Sequence, residues 1–396
     1  MTTKDNIVSF PSAAPSRQAG RLLIPERLTE ARRAARMTQT ELAQKVFVSR
    51  QAVSAYELGE KSPDIPVLHR LAEELRQPIA FFTMVTRPSF GRHRPNFFRK
   101  KGPDTKRRNL ACSVFAEWFS GSAAVFEPFA NFPMVDLPQF EPADTVGGAY
   151  SDEEVELIAE RVRQHFGLGL GPISNVLRLV ESKGVLACQY VLKDENVEAF
   201  SFWSGDRPFI FLSSDKGSAA RARFDVAHEL FHLCAHKWVS EDDLEDEKRL
   251  KQIEHEADRF AGAFLLPGKS FPLEVFSSRA ESFQDLKARW KVSIQAMVYR
   301  CKDLGLFDDR QITNLYKQIS YKKWRTVEPL DAGPKALQFE DPLLLRRVAE
   351  VVFQSGRYRE DELKVALSLS DDVLEQMLGI KLSKSNSQID YSPTLK

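Results

Sequence analysis

Cysteine is scarce in this sequence. The four present, Cys112, Cys188, Cys234 and Cys301, show no CxxC spacing. That excludes a disulfide scaffold and an all-cysteine zinc cluster, and it fits a reducing, cytoplasmic setting. Long apolar runs are also missing. No stretch approaches the roughly 20 residues of a bilayer span, so no membrane partner is expected. The opening residues, MTTKDNIVSFPSAAPSRQ, lack the basic-then-apolar pattern of a secretory signal. No repeat of fixed period runs through the chain. What is there is globular: 43% hydrophobic and 28% charged residues over a length of 396. That is more than one core usually holds, so two or three domains are expected.

A net charge of +1 conceals a division. Residues 1–110 hold 21 Lys and Arg against 10 Asp and Glu, a surplus of 11, and the remainder carries a deficit of 10. Such asymmetry points to a polyanionic partner for the N-terminal part and a different task for the rest. The composition divides further. Residues 1–24 are Ser/Pro/Ala-rich, as in a flexible arm. Residues 25–85 read as short helices. Residues 86–148 hold a basic linker, an aromatic helix and a Pro-rich connector. Residues 149–330 read as mixed α and β, and residues 331–396 as helices ending in a disordered tail.

Within residues 25–85, Thr38 with Glu41 three positions on has the form of a capping box. It predicts a helix from Gln39 to about Val46 that buries Leu42, Ala43 and Val46. Ser49 predicts the start of a third helix, running to about Leu58, burying Val53 and Tyr56 and ending at Gly59. Two short helices across a tight turn form a helix-turn-helix, whose second helix can enter the major groove. The residues Gln39, Glu41-Leu42-Ala43, Val48-Ser49, Tyr56-Glu57, Gly59 and Pro63 resemble the DNA-binding domain of lambda-repressor-like (XRE) regulators. One position departs from that pattern. Phe47 stands in the turn where Gly or Asn is usual, which predicts a turn that is distorted or more buried. The resemblance implies double-stranded operator DNA as partner. Gln39 would meet a phosphate or base edge, and Arg50 and Gln51 would read base edges, Arg suiting guanine and Gln adenine. Ser54 and Lys61 would contact mainly phosphates. Such domains commonly act as homodimers on two half-sites. The basic residues Arg99, Lys100, Lys101, Lys106, Arg107 and Arg108 read as a charged linker.

A second pattern lies at residues 219–234, AARARFDVAHELFHLC. His228 and His232 are four apart and project from one helix face, as two ligands of one metal need. Glu229 follows His228, within reach of a water on that metal. The apolar flanks predict a buried helix. A third ligand is expected from the stretch IEHEADRFAGAFLLP, where Glu254 and Asp258 are again four apart and Glu254 lies 22 residues after His232. Two His, one carboxylate and an open position form the ligand set of thermolysin-type zinc peptidases. Asp258 would then accept the free N–H of a ligand histidine. Glu256 is the alternative third ligand, disfavoured because Glu254 alone stands four residues before Asp258. His236 is expected to point out of the site one turn further on, and His255 to be exposed.

AHELFHL at 227–233 and E-x-E-A-D-x-F-A-x-x-F-L-L-P at 254–267, with GPISNVLRLVESKGVLACQY, FSFWSGDRPFIFLSS and LKARWKVSIQAMVYRCKDLGL, resemble the ImmA/IrrE family of zinc metallopeptidases over about residues 105–330. The resemblance implies His228, His232 and Glu254 as Zn2+ ligands and Glu229 as general base, a gluzincin-like set. It implies an α+β fold class: a helix-turn-helix domain, then a zincin-like domain of a small antiparallel sheet with active-site helices, then a helical C-terminal region. A strand at Pro208–Ser213, if at the sheet edge, would pair an extended peptide. The helix about Val292, Ile294, Met297 and Val298 is expected to pack in the core, and the C-terminal helices to form a cap or a partner surface. The function implied is a DNA-binding regulator with a zinc endopeptidase that cleaves or controls a repressor- or antitoxin-like partner, in stress response, mobile-element or toxin–antitoxin control. The alternative is a non-proteolytic regulator or antitoxin whose zincin-like domain only binds a ligand or toxin.

Overall fold

Local capping sets the first helices. In the computed structural model, which describes residues 23–83, 88–91, 105–141, 148–191, 199–214 and 217–383, the chain divides into two units, residues 1–86 and 87–396. Residues 1–22, the linker basics Arg99, Lys100 and Lys101, and the end of the tail lie outside the described residues.

The first unit is five helices: α1 (Pro25–Ala34), α2 (Gln39–Lys45), α3 (Arg50–Glu57), α4 (Ile65–Glu74) and α5 (Ile79–Thr83). Thr38 Oγ1 accepts from Glu41 N–H at 3.1 Å while Thr38 N–H donates to Glu41 Oε2 at 2.6 Å, closing the capping box. Ser49 Oγ accepts from Ala52 N–H at 3.1 Å and starts α3. Leu28, Leu42, Val46, Val53, Leu71, Phe81 and Phe82 fill the core. Tyr56, expected inside, is half-buried. Phe47 corrects the turn expectation: its backbone takes the left-handed φ of 58° and its ring is 82% exposed. The left-handed turn is kept, at a cost of about 1–2 kcal/mol relative to a residue without Cβ, and burial of the ring does not offset it.

The second unit is built about a three-stranded sheet of β1 (Leu186–Tyr190), β2 (Ala199–Ser204) and β3 (Arg207–Ser213). Its order is β1-β3-β2, with β1 parallel and β2 antiparallel to β3. The sheet is therefore mixed rather than antiparallel, because the chain crosses over between β1 and β3 with β2 on the far side. Pro208–Ser213 is consequently the central strand, paired on both sides, and cannot take up a peptide at an edge.

Side chains alternate across the sheet. On one face Phe200 stacks on Phe211 and Phe202 on Phe209, at 4.7 and 4.8 Å between ring centroids. Phe115 and Phe119 of α6 (Thr105–Ala124) cover them. The expected aromatic helix thus forms a core layer, and Lys106, Arg107 and Arg108, read as charged linker, belong to its first turn. Ala187, Ala199, Trp203, Ile210 and Leu212 belong to the core on the other face. That core is shared with α7 (Asp152–His165), α8 (Val176–Ser182) and α9 (Ala219–Ala235). After the short α10 (Glu241–Glu245), α11 (Glu247–Leu265) packs against both α7 and α9. Then α12 (Phe283–Trp290), α13 (Ile294–Asp303) and α14 (Asp309–Tyr321) close the core, with Val292, Ile294, Met297 and Val298 all buried. The C-terminal helices α15 (Leu344–Gln354), α16 (Glu360–Leu367) and α17 (Asp371–Leu378) follow, and α15 and α17 lie against β1. Among the described residues no helix is long and apolar enough to cross a membrane.

Candidate metal centre and nucleic-acid surface

Helix α9 is apolar on nearly every side and is buried almost throughout, as a helix inside a large core should be. Its polar residues are therefore held by specific partners. His228 and His232, one turn apart, are 0% and 1% exposed, and their Nε2 atoms lie 3.0 Å from each other. Glu254 of α11 faces both, its two carboxylate oxygens 3.7 Å from His228 Nε2 and His232 Nε2. The ligand atoms of these three residues all fall within 4.8 Å of one another. The far nitrogen of His228, Nδ1, is 2.9 Å from Asp258 Oδ1. A carboxylate on Nδ1 puts the proton there and leaves the Nε2 lone pair to the cluster, the arrangement a metal ligand requires. Two imidazole nitrogens and a carboxylate oxygen at this spacing suit zinc.

Glu256 does not join this group. Its carboxylate is buried and meets His236, Oε2 to Nε2 at 2.9 Å. His236 stays out of the ligand group, as expected, but does not leave the core. Helix α9 ends at Ala235, and His236, its C-cap, keeps its ring inside, with Nδ1 2.8 Å from His232 Nδ1. Burial holds the His236 ring below the usual histidine value, against the opposing pull of Glu256. Tyr150 closes this end: its N–H donates to Glu256 Oε1 at 3.3 Å and its hydroxyl to Phe140 O at 3.1 Å. Burial pushes that hydroxyl up. His255 is exposed, as expected, with Asp152 Oδ1 3.2 Å from its Nε2.

Glu229 is buried, and Ser201 Oγ of β2 donates to its Oε2 at 2.7 Å. Ser201 was not singled out in the sequence. The available signal was a hydroxyl between the two phenylalanines of AFSFWS, on the face turned to α9. The roles of His236 and Glu256 were likewise missed, although the register 228, 232, 236 was visible.

In the first unit Arg50 and Gln51 stand exposed at the start of α3, with Ser54 half-buried on the same helix and Lys61 exposed just beyond it. Gln39, at the start of α2, is tied down: its Nε2 donates to Glu57 Oε2 at 2.8 Å, while Arg32 forks onto the same carboxylate at 2.5 and 2.9 Å. These contacts join α1, α2 and α3 around Glu57 and fix the angle at which α3 is presented.

Residues 28–82, from within α1 to α5, match the helix-turn-helix family model. Residues 180–302, which include β1 to β3, α9 and α11, match a peptidase family model described as the IrrE N-terminal-like domain. No curated protein matches the chain. One polypeptide thus carries an XRE-type helix-turn-helix and, after it, an IrrE-like domain of a peptidase family.

Proposed function

We propose that this protein is a cytoplasmic, homodimeric transcriptional regulator whose IrrE-like domain is a zinc-dependent endopeptidase acting on a repressor- or antitoxin-like protein. The observation that carries the reading is the convergence of His228, His232 and Glu254, with Glu229 next in sequence on the same buried helix.

The residues present fit zinc. Two imidazoles would give Nε2 and Glu254 a carboxylate oxygen, Asp258 fixing the tautomer of His228. When bound, the ion supplies the Lewis acidity that acidifies a water and polarises a peptide carbonyl. The chain's own work is then proton transfer and orientation. Glu229 takes a proton from the attacking water and returns it to the leaving amine. Ser201 holds the Glu229 carboxylate in one orientation through Oε2. In the first unit, Arg50 and Gln51 would read bases and Gln39, Ser54 and Lys61 would position the backbone of operator DNA. Regulation of stress response, mobile elements or a toxin–antitoxin pair is the setting that suits a protease joined to a DNA reader.

The test uses the full chain loaded with zinc and the repressor- or antitoxin-like product of an adjacent reading frame, with fragments read by mass spectrometry. Glu229→Gln should lower cleavage by about 10²–10⁴-fold while zinc stays bound. Cleavage that survives Glu229→Gln, or that proceeds equally after chelation, refutes the peptidase reading. No cleavage in either form, with operator binding intact, assigns the second domain to binding alone.

A further inference from the structure

His236 is a buried histidine for which the proton chemistry at Glu229 has no use, yet it lies against a metal-ligand candidate. Its Nδ1 is 2.8 Å from His232 Nδ1 and its Nε2 is 2.9 Å from Glu256 Oε2. Those two contacts fix where the protons sit. A neutral imidazole carries one N–H and one lone pair. If His232 presents the Nε2 lone pair to a cation, its proton is on Nδ1, and Nδ1–H must donate to His236. His236 Nδ1 then accepts, so its own proton is on Nε2 and donates to Glu256, a carboxylate that accepts. Every group in the chain has one role, and the roles agree. The reverse order would put a lone pair of His236 against a carboxylate oxygen and a proton of His232 on the nitrogen that faces His228 and Glu254.

The end of the chain is also held. Glu256 Oε1 accepts from Tyr150 N–H at 3.3 Å and lies 3.6 Å from the Arg249 guanidinium. Both Glu256 and His236 are 1% exposed, so water screens the arrangement little.

We propose that Glu256 and His236 are positioning residues that act in series to fix His232 as an Nε2 metal ligand, as Asp258 does for His228 in a single step. The two ligand histidines are thus oriented by unlike devices. His228 leans on a carboxylate whose side chain is 44% exposed. His232 leans on a buried imidazole backed by a buried carboxylate. The motif that resembles a third ligand, Glu256, therefore serves the metal from two residues away. This inference rests on the metal-binding reading above.

The experiment uses the full chain with zinc alone as probe. Nitrogen chemical shifts of the labelled, zinc-loaded protein should report His232 as the Nδ1–H tautomer and His236 as the Nε2–H tautomer, with no substitution needed. Competition with a chromophoric chelator should show zinc held about 10–100-fold more weakly in His236→Phe and about 10-fold more weakly in Glu256→Gln. His236→Asn, whose amide oxygen can accept from His232, should recover part of the loss. A His236 proton on Nδ1 in the zinc form overturns the proposal. So does unchanged zinc affinity in both His236→Phe and Glu256→Gln when His232→Ala has lost zinc. A wild-type chain that takes up no zinc overturns the metal reading, and this inference with it.

Discussion

Ser201 shows how much a single hydroxyl can control. Its hydrogen bond to Glu229 Oε2 joins the sheet to the helix that carries the metal-ligand candidates. A hydrogen bond to a charged group contributes about 1.5–3 kcal/mol, and tenfold in rate corresponds to about 1.4 kcal/mol. Ser201→Ala should therefore lower the turnover number of partner cleavage roughly tenfold or more, while zinc affinity, measured by chelator competition, stays within about twofold. A parallel loss of zinc would mean that Ser201 supports the ligands rather than the base. On the DNA side, Arg50→Ala should weaken operator binding by about 1–3 kcal/mol and relax the preference at one base position. Equal weakening on random DNA, measured by fluorescence anisotropy, would place Arg50 on the phosphates. The capping box of Thr38 with Glu41 was legible because its partners are near in the chain, and the pairs His228/His232 and Glu254/Asp258 because each shares one helix face, although the contacts between the two pairs run across 22 to 30 positions. The contacts of Ser201 with Glu229 and of Glu256 with His236 were not, because no spacing pattern marks them across 28 and 20 positions.

Elements divide in the same way. Helices α2 and α3 begin at Thr38 and Ser49 because their caps are written locally. The order β1-β3-β2 is not local. Nothing in the period-two pattern of FSFWSGDRPFIFLSS says whether an earlier strand joins beyond the hairpin on one side or the other, so the sheet was expected to be antiparallel and is mixed. The attachment of the C-terminal helices was equally hidden. Glu340, just before α15, accepts from Val176 and Leu177 N–H at 2.8 and 2.9 Å, satisfying the start of α8. Glu181, at the end of α8, accepts from Leu343 and Leu344 N–H at 2.8 and 2.9 Å, satisfying the start of α15. Each helix is thus capped from outside by a carboxylate of the other segment. Arg223 of the buried helix α9 pairs with Glu340. Glu340→Ala would leave a buried guanidinium unpaired, and urea unfolding should show a loss of about 3–5 kcal/mol. Arg223→Met with Glu340→Gln, which keeps an amide oxygen to accept from the Val176 and Leu177 N–H groups, should cost far less, because the uncompensated charge is gone. Equal losses in the single and double variants would mean that packing, not charge, holds this junction.

The chain as a unit carries two charge populations and two folded units. The surplus of positive charge lies in residues 1–110 and the deficit in the rest, while the division in structure falls between residues 86 and 87. The two boundaries do not coincide: residues 1–86 hold 12 Lys and Arg against 9 Asp and Glu, a surplus of 3, and residues 87–110 supply the other 8, so composition marked a basic N-terminal stretch but not the structural division. How metal binding is distributed over the two units follows from linkage. An ion that binds only the folded state stabilises it by about 4.1 kcal/mol at a thousand times its dissociation constant. All three candidate ligands lie on α9 and α11, in the second unit, so that stabilisation enters through a core that contains no part of α1 to α5. Hydrogen exchange read peptide by peptide should therefore show slower exchange in α9, α11 and the sheet when zinc is added, reversed by a chelator. The rates in α1 to α5 should stay the same. Zinc-dependent protection in residues 28–82 would instead mean that the DNA-reading helices sense the metal, and the two units would then have to be treated as one cooperative system.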